Sequence, residues 1–403
     1  MNPIKTDADK EYDRLTRTRA LIEKKFPCFG INKQRELTRL IYEISKRDGI
    51  PPDQVIPPEA EGNFTNLKKV LLAKRFPETT GRGVPVRPYL PAFELDPARA
   101  VNNLRKEFSP RRIFVEEAAA GSELAERFRR FFPEAAFREI KTLKEYTARH
   151  RDGIPGSYNR RRERVFLTEK KYDFFQRCPC SRRSIPCGYH IFNLSFGCLF
   201  DCTYCYLQEY SNAPGLVFPV NLAGYFDRFR GYADSQAARQ WRRGGKIRIG
   251  TGEFSDSLML DQITRYSIPL FEHFGKLKDV IFEFKTKSDN IDNLLEIPAP
   301  ENIVIGWSLN PQSIIDGNEF LSAPLSRRLE AAKKCVRAGY RAAFHFDPIF
   351  YYPGWRRDYR TVIERLFRAI DPDSIVWLSL GTLRFPPPLK KIIEARFPDN
   401  SIL

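Results

Sequence analysis

The chain has 403 residues, 42% of them hydrophobic, enough for two or three domains and a sizeable core. Against 50 Asp and Glu it carries 67 Lys and Arg, a formal charge of +17; such a surface attracts polyanions, nucleic acid foremost, unless it serves solubility alone. No apolar run reaches the ~18 residues of a membrane span, and the charged start Met1-Asn2-Pro3-Ile4-Lys5 is no signal peptide, so a cytoplasmic protein is expected.

Residues 1–75 read as a helical region. Leu37, Leu40, Ile41 and Ile44 fall at i, i+3, i+4 and i+7, one helical face, and Gly49, Pro51 and Pro52 stop the pattern. Leu67, Val70 and Leu71 repeat it more briefly. A DNA-reading helix-turn-helix would look like this, but plain packing is the commoner use of two amphipathic helices. Cys28, between Pro27 and Phe29, is expected to be buried as a small hydrophobe. Residues 76–110 hold Pro77, Pro85, Pro88, Pro91 and Pro97 with Gly81 and Gly83, a linker or strap.

Residues 111–185 suggest a small α/β unit. Arg112–Glu117 alternates as a strand, Leu124, Phe128 and Phe131 give a helical face, and Val165-Phe166-Leu167 gives another short strand. The basic run Arg160-Arg161-Arg162-Glu163-Arg164 follows Gly153, Pro155 and Gly156, so it is read as a loop that grips phosphates or merely faces solvent. Cys178, Cys180 and Cys187 either bind a second metal centre, with a fourth ligand from elsewhere, or are simply thiols near the first; their spacing matches no zinc pattern.

From residue 186 to 403 apolar strands alternate with helical stretches: Tyr189–Leu194, Lys246–Gly250, Val280–Phe284, Ile303–Leu309, Ala342–Phe346 and Ile375–Leu380 as strands, Ile263–Phe274, Pro324–Ala338 and Tyr359–Ile370 as helices. Cys335 falls beside an apolar helical face and is assigned to the core. Alternation of this kind implies parallel pairing, hence an α/β fold built on a partial (β/α)6 barrel, with chemistry at the C-terminal ends of the strands.

The loop after the first of those strands, Asn193 to Leu207, carries Cys198, Cys202 and Cys205. Three thiolates without an obvious fourth ligand suit an iron–sulfur cluster that keeps one iron open; the competing reading is a zinc knuckle completed by His190 or another cysteine. Six of the eight cysteines lie between 178 and 205, crowding that argues for metal and a reducing compartment rather than a disulfide framework. Later strand ends offer candidate ligand groups: Gly252 for close backbone approach, Glu253 to accept from an ammonium, and the polar pair Ser308 and Asn310 for ribose hydroxyls.

The cysteine spacing, with Tyr204 before Cys205, resembles the cluster loop of the radical S-adenosylmethionine (SAM) enzymes, and Tyr204-Cys205-Tyr206-Leu207-Gln208 resembles the spore photoproduct lyase family in particular. The likeness extends over about residues 110–403 and includes Pro348-Ile349 and Gly354-Trp355. It implies a 4Fe–4S cluster on the three cysteines, SAM on the open iron, Glu253, Ser255 and Lys287 as SAM ligands, Tyr204 near the adenine, Tyr206 as a radical relay or a structural tyrosine, repair of a thymine dimer in DNA, and an electron donor such as flavodoxin or ferredoxin. Two departures stand out. Where the family has a cysteine that returns a hydrogen atom, this chain has Glu253, and the chain reaches Leu403 near where a DNA-inserting segment starts in the family, so either the chain is short there or its substrate differs. The alternatives are therefore a radical SAM enzyme for RNA or a peptide, or a nucleic-acid-binding metalloprotein that is no enzyme.

Overall fold

Four helices open the chain: α1 (Asp7–Lys25), α2 (Ile31–Asp48), α3 (Pro52–Val55) and α4 (Phe64–Arg75). They belong to a computed structural model that describes residues 7–58, 63–77, 101, 107–150, 158–170, 175–178, 188–211, 213–235, 245–400 and 402. The stripe Leu37, Leu40, Ile41, Ile44 is fully buried with Leu67, Leu71, Ile22 and Val55 in one apolar cluster. The Asn63 side chain caps α4 by accepting from the Thr65 and Asn66 N–H groups. Cys28 is exposed, against expectation. It lies in the turn after α1, where Phe26 and Phe29 stack at 5.2 Å and pack against that cluster instead.

The chain forms two compact units, Met1–Asn102 with Phe385–Leu403, and Asn103–Arg384. In the first, the helix Pro387–Arg396 is tied to α2 by buried charges. Lys390 Nζ lies 2.9 Å from Glu43 Oε1, Arg39 Nε 2.5 Å from the same oxygen, and Arg39 Nη1 3.0 Å from Glu394 Oε2. Burial alone would raise the Glu43 carboxyl, but Lys390, Arg39 and Arg75 hold it well below its ordinary value of 4.5. A folded-state value below the unfolded one adds stability above about pH 4.5 that is lost as the pH falls below it. Glu43→Gln should therefore flatten the acid limb of the stability curve of this unit and lower its stability at pH 7 by about 3–5 kcal/mol, the usual effect of breaking a buried pair. An acid limb as steep as before, in urea titrations from pH 7 to 3, would refute this assignment.

The second unit carries strands β1 (Arg112–Glu116), β2 (Ala136–Ile140), β3 (Arg164–Thr168), β4 (Phe175–Arg177), β5 (Tyr189–Phe192), β6 (Asp201–Cys202), β7 (Leu216–Pro219), β8 (Ile247–Gly250), β9 (Val280–Thr286), β10 (Ile303–Ser308), β11 (Glu319–Phe320), β12 (Arg341–Ile349) and β13 (Ile375–Thr382). A four-stranded parallel sheet runs β2-β1-β3-β7. Its fourth strand comes from beyond the cysteine loop, so the small sheet embraces the start of the barrel. The larger sheet runs β13-β12-β10-β9-β8-β5-β4. Its strands are parallel except for β4 at the edge. Those six parallel strands are the expected partial barrel. The helix expected over 263–274 is two, Asp261–Thr264 and Ser267–Phe274. The Asp261 carboxylate accepts from the Ser267 N–H and hydroxyl, and Arg265 turns the chain at φ 51°.

One core of aliphatic and aromatic side chains lies under both sheets. The inner face of the barrel is polar instead. Tyr189 on β5 donates to Glu283 Oε2 on β9 at 2.7 Å, and Glu283 Oε1 meets His345 Nε2 on β12 at 2.6 Å. Gly306 on the intervening β10 makes room, since a Cβ there would sit 2.5 Å from Glu283 Oε1. This tie spans the barrel one side-chain layer below the strand ends.

Candidate active site

The cysteine loop leaves the C-terminal end of β5 and is braced at several points. Gly197 N–H donates to Phe254 O at 2.9 Å, and Thr203 N–H to Asn318 O at 2.9 Å. Within it, β6 pairs with β11 in antiparallel fashion, Cys202 opposite Glu319. The strongest brace comes from Arg161. Its guanidinium donates to Cys198 O (3.0 Å), Phe200 O (2.9 Å), Asp201 Oδ1 (3.1 Å) and Tyr158 O (3.0 Å), and it stacks over the Tyr158 ring at 4.2 Å. Arg161 is 1% exposed. The central arginine of the basic run is thus no phosphate grip on a loop. It sits in a 3-10 turn, Tyr158–Glu163, facing inward, while Arg160 beside it stays half out with Glu163.

Around that loop is a cavity of about 340 Å³, within the range of small-ligand sites. Cys198, Cys202, Cys205, Tyr204, Tyr206, Gly252, Glu253, Ser255, Lys287 and Ser308 all line it, so every site residue singled out in the sequence except Asn310 meets here. Gly252 has φ 98°, and a Cβ on it would approach Lys285 O to 2.9 Å, so glycine is required for the turn to pass β9. Tyr206 donates its hydroxyl hydrogen to the Glu253 carbonyl, and the Ser255 and Ser195 hydroxyls are 2.5 Å apart. Asp256, Lys285, Asp347 and Arg384 also form its walls. Asp256 accepts from the Thr286 hydroxyl (2.7 Å) and the Lys287 N–H (2.6 Å), which pins the turn after β8 to the end of β9.

The sequence model of the spore photoproduct lyase family matches residues 108–402. The chain belongs to the spore photoproduct lyase family. It is similar to the spore photoproduct lyase of Bacillus subtilis, 26% identical over 308 residues that cover 74% of this chain and 85% of the relative. It is also similar to that of a Geobacillus species, 27% identical over 74% of this chain and 85% of the relative. Among solved structures, a spore photoproduct lyase double mutant with bound AdoMet and dinucleoside spore photoproduct superposes with a TM-score of 0.61 at 25% identity, covering 73% of this chain and 85% of that one. The partial barrel and the radical SAM assignment read from the cysteine spacing both follow from this membership.

Behind the cavity wall formed by the cysteine loop lies a charged network which the sequence did not reveal. The Glu319 carboxylate receives hydrogen bonds from the Tyr204 hydroxyl, from Asn310 Nδ2 at 2.9 Å and from Arg328 Nη2 at 2.6 Å. Burial would raise this carboxyl, but Arg328 and Lys287, with those hydrogen bonds, hold it down to about 2. It is therefore a fixed negative charge. Burial alone would lower the Lys287 ammonium, but Glu319 together with Cys202 and Asp256 more than offsets that, so Lys287 stays charged with its Nζ 5.9 Å from the Tyr204 ring centre. Asn310 is 1% exposed and points away from the cavity: its Oδ1 accepts from Tyr359 at 2.7 Å, so both ends of its amide are used inside the protein.

The three cysteines suit the cluster that defines radical SAM enzymes. Burial pushes the Cys198 thiol up to about 12 and raises those of Cys202 and Cys205, so their thiolates need a positive centre beside them. Among the described residues no three His, Cys, Asp or Glu side chains converge tightly enough to hold a single ion. A cubane does not require that, because each cysteine binds a different iron. His190 does not complete a zinc knuckle. It lies on the opposite face of β5, with Nε2 2.7 Å from the Tyr232 hydroxyl and Nδ1 3.3 Å from Arg248 O. Of the possible second centre, Cys178 follows β4, while Cys180 and Cys187 lie outside the described residues. Cys335 is buried in the core, as expected. Among the described residues no helix is long and apolar enough to cross a membrane.

Proposed function

We propose that this chain is a spore photoproduct lyase-like radical SAM enzyme that repairs a thymine lesion in DNA. The observation that carries the reading is the meeting, in one cavity, of three loop cysteines with Gly252, Glu253, Ser255, Lys287 and Ser308 from three successive strand ends. A 4Fe–4S cluster with SAM on its open iron, when bound, supplies one electron and a carbon radical able to take a hydrogen atom from the substrate. The chain's own groups bind and orient. Cys198, Cys202 and Cys205 hold the cluster. Glu253 and the backbone at Gly252 receive the SAM ammonium, Lys287 takes its carboxylate, and Ser255 and Ser308 serve its remaining polar groups. Tyr204, fixed by Glu319 and Phe350, forms a rigid face for the adenine. Asn310 acts one step back, as the link that keeps Glu319 and Tyr359 in place. The electron comes from a flavodoxin- or ferredoxin-type donor.

Glu253 favours a second reading. It lines the cavity where the family has its hydrogen-returning cysteine, and a carboxylic acid is a poor hydrogen-atom donor. The same radical would then act on RNA or a peptide.

Anaerobic reconstitution tests both. The chain with SAM and dithionite should form 5′-deoxyadenosine, and Cys202→Ala should reduce its rate at least about 100-fold, as loss of a whole catalytic unit does. An unchanged rate in that variant would end the enzyme reading. Irradiated DNA should lose its thymine lesions in the same mixture; lesions left intact while SAM is cleaved would transfer the assignment to the second reading. Iron content decides whether Cys178, Cys180 and Cys187 hold another centre: about four irons per chain mean one cluster and about eight mean two.

A further inference from the structure

The wall of the cavity continues outward along one loop. Asp347 and Pro348 line the cavity. Phe350, two residues on, is buried with its ring 5.0 Å from that of Tyr204. Tyr351 then turns out to solvent, 49% exposed. Three residues of chain reach no more than about 11 Å, so Tyr351 stands at the cavity's rim. The loop leads into the helix Trp355–Ala369. Arg356, Arg357 and Arg360 are exposed on its first two turns, and Arg384, on the cavity wall, has a side chain 68% exposed. The acidic residue of that first turn, Asp358, is taken up by the Tyr352 hydroxyl and Arg357 at 3.0 Å each.

This loop is held rigidly. Phe350 N–H donates to the Tyr359 hydroxyl at 3.0 Å, and Tyr359 donates to Asn310, whose other end holds Glu319. Trp355 N–H donates to Tyr352 O at 3.1 Å. Trp355 stands behind Tyr351 with ring centres 6.3 Å apart, and the Arg356 guanidinium lies 5.5 Å over the Trp355 ring. Burial does not explain an exposed tyrosine on a braced loop among arginines. That composition is the one that binds an unpaired nucleic-acid strand, where aromatic faces stack on bases and guanidinium groups take phosphates.

We infer that Tyr351 and the arginines Arg356, Arg357, Arg360 and Arg384 form the nucleic-acid grip of this enzyme, with Tyr351 stacking on a base next to the one inside the cavity. The inference rests on the nucleic-acid reading of the substrate given above. A cavity of about 340 Å³ admits no duplex, so a target base has to leave its stack to reach it and the backbone of any such substrate runs over the rim.

Fluorescence anisotropy with the reconstituted full chain and a fluorescein-labelled oligothymidylate, over about 50–200 mM salt, tests it. Tyr351→Ala should weaken binding about ten-fold with the salt dependence unchanged, and Tyr351→Phe should restore it. Changing Arg356, Arg357 and Arg360 together to glutamine should lower the slope of log K against log salt by about 2, as expected for three phosphate contacts on a single strand. Lys334→Gln with Arg337→Gln, exposed basic residues on another helix, should leave both quantities as they were. If the unaltered chain binds and the Tyr351 and arginine variants bind as it does, the grip is elsewhere and the substrate reading stands. If the unaltered chain binds no nucleic acid, the substrate reading and the grip fall together.

Discussion

Arg161→Leu should leave the chain with well under one iron after reconstitution, where the unaltered protein is expected to retain about four. The guanidinium fills four acceptors in a dry interior: three main-chain carbonyls, two of them inside the cysteine loop, and the Asp201 carboxylate. Removing it leaves a buried carboxylate short of its nearest partner, which costs about 3–5 kcal/mol. The loop has a cheaper alternative, which is to open toward water and carry Cys198 away from Cys202 and Cys205. Arg161→Lys should recover only part of the iron, because an ammonium offers a point charge and no planar fork. Arg160→Gln next door, with a side chain 54% exposed, should bind iron normally. Colorimetric iron and the visible cluster band report the result, and full iron in Arg161→Leu would show that the cysteines hold their own loop.

The other large effect is expected from cutting the chain after Arg384. The helix Pro387–Arg396 brings Leu389, Ile393 and, just beyond it, Phe397 into buried positions at 1%, 0% and 3% exposure. Each such side chain contributes about 1.5–3 kcal/mol on burial, an upper bound of about 5–9 kcal/mol for the three. Arg39 would also lose both hydrogen bonds to Glu394. The total is comparable to the whole stability of a typical domain, about 5–15 kcal/mol. Hydrogen exchange of the truncated chain should show α1, α2 and α4 unprotected while β9, β10 and β12 keep their slow amides. Protection of α2 equal to that in the full chain would mean that the N-terminal helices suffice for themselves.

The six barrel strands were legible because β-branched and aromatic runs alternate with helical spacing, and their observed bounds differ from the expected ones by a few residues. The convergence of Cys198, Cys202 and Cys205 was legible because residues on one loop are close in sequence. What escaped was whatever depends on distant partners. The run around Arg161 has the composition of a solvated loop, and only the fold decides that its central residue turns inward toward Asp201, 40 positions on. Asn310 was read as a ribose ligand from its place at a strand end, but Glu319 and Tyr359 claim its amide. β6 and β11 are two residues each, too short for any periodicity to announce. Cys28 was assigned to the interior on residue type, and its phenylalanine neighbours took that space.

Helices that pair across the whole length of a barrel have a particular history on the ribosome. Domains are made at roughly 5–20 residues per second, the N-terminal ones folding first as they emerge. Here α2 waits through about 350 residues of further synthesis, some 17–70 s at those rates, before Lys390 and Glu394 arrive to meet Glu43 and Arg39. The barrel is complete before then, so α2 reaches its final partners only after the barrel strands have been made, and a nascent-chain chaperone has long access to it.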